Sequence, residues 1–175
     1  GAAVEWGDYD ADGDLDLLLA GWTGAAPVGA IYRNDGGAFA DARAGIAAVY
    51  FSAAAWGDYD TDGDLDLVLT GYTGAENIAR VYRNDDGVFV DVEAGLVGAQ
   101  LGAVAWADID GDGDLDVALA GATSVSGGTP ASQRSSSASL AFTARCFDAY
   151  ISRRLASTCR TASPSCAPSS SCARS

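Results

Sequence analysis

One sixteen-residue block limits what this chain can fold into, because it occurs three times at a fixed distance. WGDYDADGDLDLLLAG starts at Trp6, WGDYDTDGDLDLVLTG at Trp56 and WADIDGDGDLDVALAG at Trp106, a period of 50 residues. The likeness runs past the block. Residues 4–46 and 54–96 align without a gap at 25 identities in 43 positions. Ile31-Tyr32-Arg33-Asn34-Asp35 returns as Val81-Tyr82-Arg83-Asn84-Asp85, Phe39 as Phe89, Asp41 as Asp91 and Ala44-Gly45 as Ala94-Gly95. A repeat of this length marks an array of small units, each burying its apolar surface against the next.

Each unit reads as four short strands. In the second they are Ala53 to Trp56, Leu65 to Leu69, Ile78 to Tyr82 and Val88 to Val90, separated by Gly, Asn and Asp. Asn34-Asp35-Gly36-Gly37 and Asn84-Asp85-Asp86-Gly87 read as hairpin turns, because these residues tolerate positive φ. No segment sustains a helical period. Leu17-Leu18-Leu19 is apolar on both strand faces, which suits a sheet covered on both sides rather than a two-layer sandwich. Small residues such as Ala53, Ala54 and Ala55 suit a crowded inner strand, and Trp6, Trp56 and Trp106 are expected in the core. The expected fold is all-β: a partial β-propeller of four-stranded antiparallel blades, two full blades plus the start of a third. The units run about 1–50, 51–100 and 101–123.

The start of each block carries the chemistry. Asp8, Asp10, Asp12, Asp14 and Asp16 alternate in D-x-D-x-D-G-D-x-D; Asp58, Asp60, Asp62, Asp64, Asp66 and Asp108, Asp110, Asp112, Asp114, Asp116 repeat it. Fifteen of the 24 acidic residues therefore crowd into three nine-residue loops. Like charges at about 4–6 Å repel by roughly a kcal/mol or more even at an effective dielectric near 20, so a cation is the expected partner. Oxygen ligands without N or S donors select Ca²⁺ or Mg²⁺, and a flexible carboxylate loop favours Ca²⁺, about one ion per loop and three in all. Positions 1, 3 and 5 turn inward. Gly13, Gly63 and Gly113 at position 6 allow the sharp turn. Position 7 offers its backbone carbonyl with its side chain toward solvent, and position 9 closes the shell. An EF-hand is excluded: it needs Glu at position 12, where Leu19, Leu69 and Leu119 stand.

Composition removes most catalytic chemistry. The chain has no His, Met or Lys, so His-based triads, His-ligated zinc and Schiff-base lysine are all excluded. Its net charge of −14 repels nucleic acid and anionic membrane, and no apolar run is long enough to span a bilayer. Glu5, Glu76 and Glu93 do not recur between units, and the paired carboxylates of the acidic loops are committed to metal. Arg33 and Arg83 are expected to hold their turns through Asp35 and Asp85. The chain is read as no enzyme.

A repeated acidic nonapeptide between two strands, at blade spacing, resembles the FG-GAP/VCBS repeats of integrin α-subunit propellers and of secreted bacterial proteins. The likeness covers about residues 1–123. Leu101-Gly102 stands where the FG pair is expected, and Gly71-Tyr72-Thr73 where GAP would be. This degeneracy fits the bacterial branch. The resemblance implies Ca²⁺ in the loop joining the first two strands of each blade, held by the fifteen aspartates named above. It also implies an extracellular or cell-surface protein that binds a protein or carbohydrate ligand. The loops Trp22 to Gly29 and Tyr72 to Ala79 would carry recognition. The alternative function is a non-catalytic propeller region of a larger secreted polysaccharide-active enzyme.

Two and a half blades do not close a ring, and the start at Gly1 without Met suggests a fragment; further blades of a longer parent chain are the expected neighbours. Residues 124–175 reverse the pattern. They hold six Arg, one acid (Asp148) and all four Cys (Cys146, Cys159, Cys166, Cys172), whereas residues 1–121 hold 23 acids and four Arg. Three readings are open for this Ser-, Arg- and Cys-rich tail: a disordered linker or stalk, a small appended domain with a short helix over Ala141 to Leu155, or an out-of-frame product.

Overall fold

The computed structural model describes residues 1–123 and the strand Thr143–Arg145. It is all-β, with three antiparallel sheets. The first joins β1 (Ala3–Gly7), β2 (Asp16–Trp22), β3 (Pro27–Asp35) and β4 (Ala38–Asp41) in sequence order. The second repeats it with β5 (Tyr50–Gly57), β6 (Asp66–Tyr72), β7 (Asn77–Asp85) and β8 (Val88–Asp91). The third holds β9 (Gln100–Ala107), β10 (Asp116–Ala122) and β11 (Thr143–Arg145). Registers repeat with the sequence: Leu17 pairs Trp6 and Tyr32, and Leu67 pairs Trp56 and Tyr82.

The third blade departs from expectation. Val117 pairs Arg145, so β11 lies on β10 in the register that β3 and β7 take on their partners. Thr143–Arg145 is thus a strand, not part of the short helix over Ala141 to Leu155 that the appended-domain reading of the tail allowed. The other readings of the tail lie outside the described residues.

The turns follow from residue chemistry. Gly36 and Gly37 have φ of 60° and 97°, and Asp86 and Gly87 have 50° and 86°. Two positive φ values in a two-residue loop make the hairpin turn that Asn, Asp and Gly favour. Arg33 and Arg83 pair with Asp35 and Asp85 at 2.7 and 2.6 Å beside these turns, as expected.

Packing between blades accounts for the composition of the strands. The inner strands lie side by side, β5 between β1 and β9. Leu67 and Leu69 of β6 pack toward the first blade with Leu18, Ile31 and Val49, whereas Val68 packs toward the third with Val117 and Leu119. β6 is therefore buried along nearly its whole length, while β2 alternates between buried and half-buried. The same apolar triplet meets one neighbour in the first blade and two in the second. Each fully buried Leu or Val contributes about 1.5–3 kcal/mol of transfer free energy.

Tryptophan forms the seams. The Trp56 ring lies on Gly7 and stacks on Tyr9, with ring centres 6.5 Å apart at 11°. Trp106 lies on Gly57 and stacks on Tyr59 at 5.8 Å and 4°, and its indole N–H donates to the Ala55 carbonyl. Trp6 differs. It is 54% exposed and touches Phe39 edge-on, so it is not a core residue as the sequence suggested. Among the described residues no blade covers it.

Candidate metal centre

Each acidic nonapeptide joins the first two strands of its blade: residues 8–15 link β1 to β2, 58–65 link β5 to β6, and 108–115 link β9 to β10. Two left-handed residues bend each loop inward. Gly13, Gly63 and Gly113 have φ of 96°, 102° and 98°. Position 4 is left-handed too, with Ala11, Thr61 and Gly111 at 56°, 60° and 79°. Sequence reasoning missed this second bend; the one signal for it was the glycine at 111. A Cβ at the position-6 glycines would meet nothing, so glycine is required there for φ alone.

These bends bring carboxylates together. Asp8, Asp10 and Asp16 form one group, Asp58, Asp60 and Asp62 a second, and Asp108, Asp110 and Asp116 a third. In each group one oxygen per residue lies within 4.8 Å of the others. Positions 1 and 3 belong to all three; the third member is position 9 or position 5. Each group is a set of hard oxygen donors able to hold a metal ion.

Aspartates inside and outside these groups also support the loop. Asp8 accepts the Asp12 and Gly13 amides at 3.1 and 3.0 Å. Asp12, Asp62 and Asp112 each accept the amide two residues on. Position 9 is a buried clasp. Asp16 accepts Tyr9 N–H at 3.0 Å and Asn34 N–H at 2.8 Å, and Asp66 accepts Tyr59 N–H and Asn84 N–H at 2.9 and 2.8 Å. Position 7 corrects the expectation of a solvent-facing side chain. Asp14 accepts Gly36 N–H at 2.7 Å and Asp64 accepts Asp86 N–H at 3.0 Å, tying the acidic loop to the hairpin turn of the same blade.

The sequence also gave no role to Asn84 beyond its turn. Asn84 is fully buried. Its amide donates to the carbonyls of Leu65 and of Tyr9 in the first blade, and its oxygen accepts Gly87 N–H. One side chain thus joins two acidic loops and a hairpin.

Electrostatics leaves the clusters under strain. Asp10 Oδ1, Asp58 Oδ1 and Asp60 Oδ1 are buried and have no hydrogen-bond partner. An unpaired buried carboxylate oxygen is costly unless a proton or a cation reaches it. The Asp10 and Asp60 carboxyls are accordingly raised above the ordinary range, first by burial and then by neighbouring aspartates. Asp66 is pushed up to about 7 by burial, against the two amides that favour its ionised form. The orphaned oxygens and the donor chemistry fit a divalent cation.

The family model of the FG-GAP-like repeat matches residues 8–69 and again residues 58–119, two overlapping spans offset by the 50-residue period. No curated protein matches the chain. Each matched span begins at the first aspartate of one nonapeptide and runs into the second strand of the next blade. By its repeated blades and the acidic loop set between the first two strands of each, this chain belongs to the FG-GAP-like repeat family.

Proposed function

We propose that the chain is a calcium-stabilised extracellular module for binding or adhesion, in which Ca²⁺ is structural in each acidic loop and the chain itself catalyses nothing. The observation that carries the metal reading is the set of buried, donorless oxygens on Asp10, Asp58 and Asp60. Hydrogen bonds within the loops leave these atoms unsatisfied, and a divalent cation offsets both their desolvation and their mutual repulsion. Carboxylates at positions 1 and 3 would hold the ion in every loop, joined by position 5 or 9 and by the position-7 carbonyl. Calcium fits better than magnesium because the loop is irregular and rich in carboxylates, and Mg²⁺ demands near-octahedral order.

Repetition favours a structural ion: three similar loops suit three similar jobs, whereas a catalytic ion needs an open position. A surface for a protein or carbohydrate ligand would include Trp22, 53% exposed at the end of β2 remote from the acidic loop. Both Trp22 and Tyr72 meet the Tyr50 ring edge-on, and Tyr72 is more committed because its hydroxyl donates to the Gly74 carbonyl.

Asp60→Asn tests the metal reading. It keeps the shape and removes one ligand charge. Calcium titration of the variant should lose one of the binding events, with affinity at that loop falling about 100-fold or more, the order expected when about 3 kcal/mol of ligation is lost. Asp41→Asn, on the exposed β4, should bind like the parent. Equal titrations for Asp60→Asn and the parent would remove the second loop from the metal sites.

A further inference from the structure

The two seams between blades are built alike, and the outer face of the third blade is not. In both seams an indole lies flat on a glycine and stacks on the tyrosine two residues later. A Cβ at Gly7 would fall 2.9 Å from Trp56 Cδ1, and one at Gly57 2.6 Å from Trp106 Cδ1. Neither position has room for even a methyl group. The third unit carries Ala107 and Ile109 where the others carry Gly-x-Tyr. Ile109 is 52% exposed. At the opposite end the first blade presents a preformed knob, for Trp6 meets Phe39 at 6.1 Å just as Trp56 meets Phe89 at 6.1 Å. The chain therefore carries a third tryptophan knob without a third cradle.

We infer that Ala107 and Ile109 set the specificity of the third blade's outer face. They exclude a blade with tryptophan on its first strand, including the first blade of a second copy. The partner they fit is a blade with a small aliphatic side chain at the tryptophan position, which can seat against a methyl group and an aliphatic platform. The two ends of the array thus take different neighbours, and copies of this chain do not add to one another head to tail. The inference rests on blade stacking and is independent of the proposed calcium reading, because the tests below are run at one fixed calcium concentration.

The first test installs the cradle of the other seams. Alanine 107 to glycine and isoleucine 109 to tyrosine together (A107G/I109Y) change two exposed positions to residues already used twice. Sedimentation equilibrium should show head-to-tail association about tenfold tighter than in the parent, the scale of one aromatic stack gained. Trp6→Ala on the same background should reverse it. An unchanged association constant, or a parent chain that already associates through Trp6, would overturn the inference.

A second measurement works inside the chain. Gly57→Ala places the third unit's residue in a working seam. It should lower the melting temperature by roughly 4–8 °C, the effect of overpacking a seam in a domain of this size. The loss should vanish in a Trp106→Ala background. No loss in the parent background would show that a methyl group does not exclude tryptophan.

Discussion

Stripping divalent metal should lower the melting temperature of this chain by on the order of 15 °C at neutral pH. Calcium sites of extracellular modules bind with dissociation constants near 10⁻⁴ M, so about 1 mM calcium adds roughly 1.4 kcal/mol per site. Three independent sites give about 4 kcal/mol, and each kcal/mol moves the midpoint of a domain this size by about 4 °C. The pH dependence separates this from a general salt effect. In the metal-free chain the Asp66 carboxyl is raised to about 7, above its ordinary 3.8. A folded state that holds a proton more tightly than the unfolded state is favoured most below the unfolded pKa. That contribution is lost as pH rises through about 7. The metal-free chain should therefore lose stability from about pH 4 to pH 8. On the calcium reading the ion binds the ionised loop, so its stabilisation should grow over the same range. Thermal unfolding of stripped and calcium-loaded protein at several pH values reads both trends. A gap that narrows as pH rises would contradict the cation assignment, and magnesium should open a smaller gap than calcium.

Asn84→Ala should cost about 3–5 kcal/mol, whereas Asn34→Ala, at the same place in the repeat, should cost about 1 kcal/mol. The two differ in what lies around them. Asn84 is fully buried and joins Leu65, Gly87 and, across the seam, Tyr9. Its removal leaves the buried Tyr9 carbonyl and the half-buried Leu65 carbonyl and Gly87 amide without partners, and each orphan costs about 1–3 kcal/mol. Asn34 makes the Leu15 and Gly37 bonds of its own blade in a more exposed setting, where water can replace them. Asn84→Asp should fall between, since it keeps the acceptor for Gly87 and loses both donors. Denaturant unfolding of the three variants checks the order. Equal losses at 34 and 84 would show that the bond across the seam contributes nothing.

The strands, the hairpin turns and the acidic loop were legible because each depends on local chemistry repeated in two or three copies. Leu17 to Leu19 marks a strand wherever it stands, Asn-Asp-Gly-Gly a turn, and Gly13 a left-handed bend. Features that depend on the neighbouring blade were not legible. Trp6, Trp56 and Trp106 are identical letters, yet only the latter two have a glycine cradle to lie in. The position-7 aspartate looked solvent-facing because its partner, the hairpin amide, lies 22 residues away in sequence. Asn84 passed as a turn residue because its partner Tyr9 lies in another blade. β11 was missed because Thr143–Arg145 carries none of the repeat's letters, and its place comes from backbone pairing on β10.

Calorimetric titration of the metal-stripped chain with calcium tests the central claim most directly, because it counts ions. Three carboxylate groups should take up three calcium ions per chain, with protons released on binding near neutral pH. A chain that binds no calcium, or binds it without stoichiometric saturation, would show that its three acidic loops are not metal centres.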